Sequence, residues 1–179
     1  MPSTPPVACP TAAFAPTGLP AFDHVLRAQT ADFRVEARPA RTRLRIGHDK
    51  LVFSVTSARD GYLDVVLRGP DGSLLLLYPN TKAKGNRIRA GQTLTLPAAS
   101  WALEATAPAG REDFLAIVSA QPRDFSRAGQ GRDGWFLKLP ALDAAAAGTA
   151  LPAWAGRAEC QGAGCDVFGA AHFTVDVVR

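Results

Sequence analysis

No apolar stretch in this 179-residue chain approaches the roughly 20 consecutive residues that a membrane-crossing helix needs. The first twenty residues, MPSTPPVACPTAAFAPTGLP, lack the basic head and continuous apolar run of a signal peptide. The expectation is that a leader has been removed or that the chain is a piece of a longer protein, its proline-dense start serving as a linker. Catalytic signatures are missing too. His24, His48 and His172 stand outside any H-E-x-x-H or H-x-E setting, and no serine sits in a G-x-S-x-G elbow. The excess of base is small, a net charge of +4, and its arginines are scattered. A nucleic-acid arm would be a block of basic residues interleaved with aromatics, so nucleic acid is not expected as a partner. The reading is a protein that is not an enzyme and carries no cofactor and no metal.

Cysteine is scarce, with three in the chain. Cys160 and Cys165 bracket Gln161-Gly162-Ala163-Gly164, a flexible spacer that lets two sulfurs meet. Reduced structural thiols are the alternative. Zinc is a further one, but it needs three or four ligands and only His172 is near in sequence. A local disulfide would place the protein outside the cytoplasm, in a periplasmic or extracellular setting. Cys9 is left open as free, paired or lipid-modified.

What is present is apolar mass, 47% hydrophobic against 20% charged residues, enough for one core at this length. Period-two alternation marks half-buried strands. Phe33, Val35 and Ala37 alternate with arginines and a glutamate, and Leu44 with Ile46, then Phe53 with Val55, repeat the pattern. Leu63 to Leu67 and Leu74 to Tyr78 flank Gly69-Pro70-Asp71-Gly72, which reads as a hairpin. Thr93 to Leu96, Trp101 to Ala105, Phe114 to Ser119 and His172 to Val178 supply the remaining strands. Phe22, Val25, Leu26 and Gln29 have helical spacing for about two turns, and Pro140 to Ala147 is a second helical candidate. The fold expected is all-β, an antiparallel β-sandwich of Ig-like or jelly-roll-like type with one or two short helices. Residues 1–30 are read as linker or N-terminal extension and 31–179 as a single domain. Phe33, Val35, Phe53, Val55, Leu103, Ile117, Phe173 and Val175 are its expected core.

Binding candidates follow from chemistry. Tyr62 and Tyr78 offer flat apolar faces, and Asn80 offers a donor and an acceptor. Packing at the edge of the core is the plainer reading of both tyrosines. Lys82, Lys84, Arg87 and Arg89 lie in a polar, glycine-punctuated stretch from Thr81 to Gly91, suited to an acidic partner or simply to solvent. Trp135-Phe136 and Trp154 would mark an interface if exposed, and core if a loop folds over them.

The order Asp60-Gly61-Tyr62-Leu63, Asp71-Gly72, Tyr78-Pro79-Asn80, Ala90-Gly91, Leu96-Pro97 resembles a bacterial family, the domain of unknown function DUF4384, over about Leu44 to Ser119. A later Phe168-Gly169-Ala170-Ala171-x-Phe173 is similar to a Tyr-Gly-Ala-Ala-x-Phe element of some members, with Phe168 here replacing the tyrosine. The resemblance implies a non-catalytic protein-interaction or assembly module of a signalling or envelope protein, such as the Ser/Thr kinases associated with type VI secretion. Its partner would be a protein of that complex. A binder of cell-wall glycan or another small ligand is the alternative.

Overall fold

A computed structural model describes residues 14–142 and 151–179. Helix α1 (Pro20–Ala28) is followed by β1 (Val35–Pro39), β2 (Arg43–Arg45), β3 (Phe53–Ser57), β4 (Gly61–Arg68), β5 (Leu74–Tyr78), β6 (Arg87–Ile88) and β7 (Thr93–Leu96). Then come β8 (Gly110–Ser119), β9 (Arg123–Asp124), β10 (Arg132–Asp133), β11 (Phe136–Leu139), β12 (Arg157–Ala158) and β13 (Phe168–Val178). The large sheet runs β10-β11-β5-β4-β8-β13-β2 with β6 added beside β4, and a small sheet runs β1-β3-β7. Strand β9 pairs with β12 alone. Pairing is antiparallel throughout except for β13 with β2. The protein is an all-β sandwich.

Alternation explains the small sheet. Phe53 and Val55 point inward and are buried, while Thr56 and Thr93 bond each other on the outer side at 2.8 Å. The large sheet is different, because both of its faces are covered. Leu63, Val65, Phe114, Ala116, Val118, Phe173 and Val175 meet Phe53, Val55, Leu96 and Trp101 in one core. Val66, Leu115, Ile117, Phe168 and Ala170 meet Phe22, Val25 and Leu26 of α1, together with Phe125 and Trp154, in a second. A strand buried on both faces reads as a continuous apolar run, which is the sequence of β8 from Phe114 to Val118.

Several expectations change accordingly. Ile117 is buried but in the core opposite to that of Phe53, and Val35 and Leu103 are only half-buried. Trp101 to Ala105 is not a strand. Ala99–Trp101 forms a 3-10 turn that drops the indole into the first core at 0% exposure, and Glu104 makes one isolated bridge to Lys50. The stretch from Gln121 to Gly134, rich in Arg, Asp, Gly and Gln as a loop would be, contains β9 and β10. Helix α1, inside the 1–30 extension, packs on the sheet. Of the second helical candidate, Pro140 to Leu142 have no regular structure, and the remainder, like Cys9, lies outside the described residues.

Close approach fixes two motif glycines. A Cβ on Gly61 would stand 2.6 Å from the Ser119 carbonyl oxygen, and one on Gly169 would collide with the Phe33 carbonyl oxygen. The Gly-Tyr pair and the Phe-Gly-Ala-Ala element therefore have a packing reason before any functional one.

Candidate functional site

The polar stretch from Thr81 to Gly91 folds over one end of the large sheet, and its anchors are buried or half-buried polar groups. A β-bulge places Leu77 as an extra residue between the Val65–Tyr78 and Val66–Leu76 pairs. Both Leu77 and Tyr78 thereby join the first core. The Tyr78 ring stacks on Trp101 with centroids 5.7 Å apart, and its hydroxyl donates to the Gly85 carbonyl. Burial, and then the nearby Asp64, push the phenol pKa up, so the hydroxyl stays a donor. Asn80 caps the turn: its Nδ2 donates to the Leu77 carbonyl at 2.9 Å, and its Oδ1 accepts from the Lys82 and Ala83 amides at 2.9 and 3.0 Å.

Further along, Asn86 Nδ2 donates to the Leu63 carbonyl and to Asp64 Oδ1, while the Leu63 amide donates to the Asn86 carbonyl at 2.7 Å. Asp64 is 1% exposed, and burial drives its pKa well above its ordinary value, against the opposing effects of Arg123 and Asn86. Burial thus favours its neutral form, the form that costs least to bury. The loop closes where the Ala90 amide donates to Asp60 Oδ1 at 2.7 Å and the Gly91 amide to the Ser57 carbonyl at 2.8 Å.

On this framework Lys82, Lys84, Arg87 and Arg89 are all exposed. Two of them lie over aromatic rings. The Arg87 guanidinium is 5.3 Å from the centre of the Tyr62 ring, its cross-strand neighbour in the β4–β6 pair. The Lys82 ammonium is 5.4 Å from the Trp135 ring. Trp135 reaches this place because β11 pairs with β5, and the Thr81 amide donates to the Trp135 carbonyl. It is 37% exposed, whereas Trp101 and Trp154 are at 0% and 3%. Cation–π contact of this kind holds the long basic side chains in place and lays them flat on apolar surface.

The candidates thus divide. Tyr62 with Arg87 and Trp135 with Lys82 are brought together as two cation–π pairs, and Lys84 and Arg89 are exposed on the same loop. Tyr78 and Asn80 are buried beneath it, with their polar groups engaged inside the protein, and they act as its supports. Phe136 is half-buried beside Trp135, and Trp154 belongs to the second core. Cys160 and Cys165 form a disulfide, with Cα atoms 6.0 Å apart.

Two further polar nodes escaped the sequence reading. The Arg123 side chain is wholly buried and donates to the Ala155 and Gly156 carbonyls, to Ser119 Oγ and to both carboxylate oxygens of Asp166. On the α1 side of the large sheet, Asp113 accepts from Arg111 at 2.7 Å and meets His172 Nε2 at 2.9 Å. Arg111 also donates to the Thr17 carbonyl, and Phe22 packs edge-on against His172. Burial raises the Asp113 carboxyl, but His172 and Arg111 outweigh it and bring the pKa below the ordinary value. This node fastens the helix segment to the sheet. The turn pair His48-Asp49 is likewise structural, since Asp49 binds Arg45 and Arg41.

The order of β4, the hairpin, the anchored loop and β8 can be compared with known families. Residues 43–122 match the family model of a domain of unknown function, DUF4384. The matched segment holds Tyr62, all four basic residues and their anchors. Trp135, the disulfide and the Asp166 partner of Arg123 lie beyond it. No curated protein and no solved structure matches the chain.

Proposed function

We propose that the protein is a non-catalytic binding module that engages an acidic protein partner through the face formed by Lys82, Lys84, Arg87, Arg89, Tyr62 and Trp135. The observation that carries this reading is the pair of cation–π contacts, Lys82 on Trp135 and Arg87 on Tyr62, presented by a loop whose backbone is already ordered. Preorganised cations lose little freedom on binding, and an exposed Trp beside them is the usual composition of an interface anchor. The setting is a secretion-linked or envelope signalling assembly outside the cytoplasm, of the type VI-like kind that the DUF4384 resemblance implies. The Cys160–Cys165 disulfide supports that compartment. A glycan platform built on Tyr78 or Trp101 has less support, because those two rings face each other in the core.

Trp135 is the most exposed of the three tryptophans, so its fluorescence reports on this face. Titration with a poly-glutamate peptide at low salt should change the emission saturably and weaken as salt rises. Charge reversal of Lys82, Lys84, Arg87 and Arg89 should abolish the change. An unchanged affinity in that variant would contradict the assignment.

A further inference from the structure

A concavity lies on the opposite side of the large sheet from the small sheet, under the β9–β12 pair. Its volume is 540 Å³, and Phe168, Ala128, Ala28 and Leu151 are among its lining residues. This is within the range of about 300–1,000 Å³ seen for small-molecule sites. The Phe168 ring is 2% exposed and carries the Arg123 guanidinium 5.6 Å from its centre. Arg123 is fully engaged by Asp166, Ser119 and two carbonyls, so it is a fixed part of the wall with its charge matched by Asp166. Two other lining arginines are different. Arg127 and Arg157 are exposed, and neither makes an ion pair with any described residue. Both lie near Asp124, whose carboxylate already accepts from the Ser126 amide at 2.8 Å and the Ser126 hydroxyl at 3.0 Å. The rim therefore presents two uncommitted guanidinium groups to one hydrogen-bonded carboxylate, above an apolar floor.

We propose that this cleft binds a small amphiphilic anion, with Arg127 and Arg157 holding a carboxylate or phosphate head and Phe168, Ala128 and Leu151 receiving an aliphatic body. Guanidinium forks match both head groups in shape. The floor gives the aliphatic part a place out of water. The basic face around Lys82 plays no part in this site.

The test is a titration of the full chain with sodium octanoate, followed by amide NMR shifts of Ala128, Arg157 and Phe168, with octan-1-ol and inorganic phosphate as separate arms. Octanoate should give saturable shifts at these amides, and octanol and phosphate much weaker ones. The Arg127→Gln/Arg157→Gln variant should fold normally, since both side chains are exposed, and should bind octanoate about tenfold or more weakly, the loss of at least one charge-assisted hydrogen bond. The charge-reversed Lys82, Lys84, Arg87 and Arg89 variant should bind octanoate as the parent does. Ala28→Leu, at the exposed end of α1, should narrow the cleft and also weaken binding. Absence of shifts at these amides, shifts as strong with phosphate alone, or undiminished affinity in the double arginine variant would overturn the proposal.

Discussion

At the scale of single residues the protein separates side chains that support the basic face from side chains that form it. Replacing Lys82, Lys84, Arg87 and Arg89 together by alanine should leave the thermal melt nearly unchanged, since exposed charges each contribute within about 0.5 kcal/mol. Asn80→Ala should cost about 1–3 kcal/mol, because it strands the Lys82 and Ala83 amides and the Leu77 carbonyl. Urea unfolding of the two variants side by side makes the comparison. Glu112 gives a pH prediction. Burial raises its pKa to about 7, so the native state holds a proton that the unfolded chain gives up near pH 4.5. Its favourable contribution is fully present below pH 4.5 and is lost as pH rises through about 7. Glu112→Gln should therefore be more stable than the parent at pH 8, by up to about 3 kcal/mol, and equal to it at pH 4. A constant difference across that range would contradict the assignment.

Among the elements, the last third of the chain is tied down through Arg123. The disulfide loop delivers Asp166, which sits next to Cys165, and Asp166 holds Arg123, which in turn holds the carbonyls of Ala155 and Gly156. A ring of this length constrains the unfolded chain only modestly. Reduction should speed hydrogen exchange from Cys160 to Phe168 while β8 and the core of the large sheet stay protected. Arg123→Ala should cost at least about 1–3 kcal/mol, as it strands the Ala155 and Gly156 carbonyls and Ser119 Oγ in the interior, and chemical denaturation checks it. Exchange loosening across β8 on reduction would place the disulfide in the main fold.

The same elements show what the sequence made legible. Strand β3 alternates cleanly, with Phe53 and Val55 inward, and it is readable as a half-buried strand. Strand β8 was readable as a strand, but not as one with two buried faces, because alternation carries no signal when both sides are apolar. Trp101, Leu103 and Ala105 mimicked alternation while the chain was turning to insert one indole. The basic loop was visible as composition. Its aromatic partner was not, since Trp135 and Lys82 meet only through the β5–β11 pairing. Arg123 looked like one more charge in a polar stretch, and its partner Asp166 lies 43 residues away. Asp64 was the one local clue to a polar node, a carboxylate within the apolar run Leu63 to Leu67.

The whole molecule is a twice-covered sheet with an ordered basic loop, carrying two cation–π pairs, at one end. Among the described residues no helix is long and apolar enough to cross a membrane. The central claim is that this face meets a protein partner, and the most direct measurement is photo-crosslinking in the cells that make the protein. A photoreactive amino acid is placed at Trp135, with a control at Val52, an exposed residue just before β3 on the small sheet. The account predicts an adduct with an acidic protein at Trp135, none at Val52, and loss of the adduct when Lys82, Lys84, Arg87 and Arg89 are charge-reversed in a folded protein. Equal capture from both positions, or capture that survives the charge reversal, would contradict it.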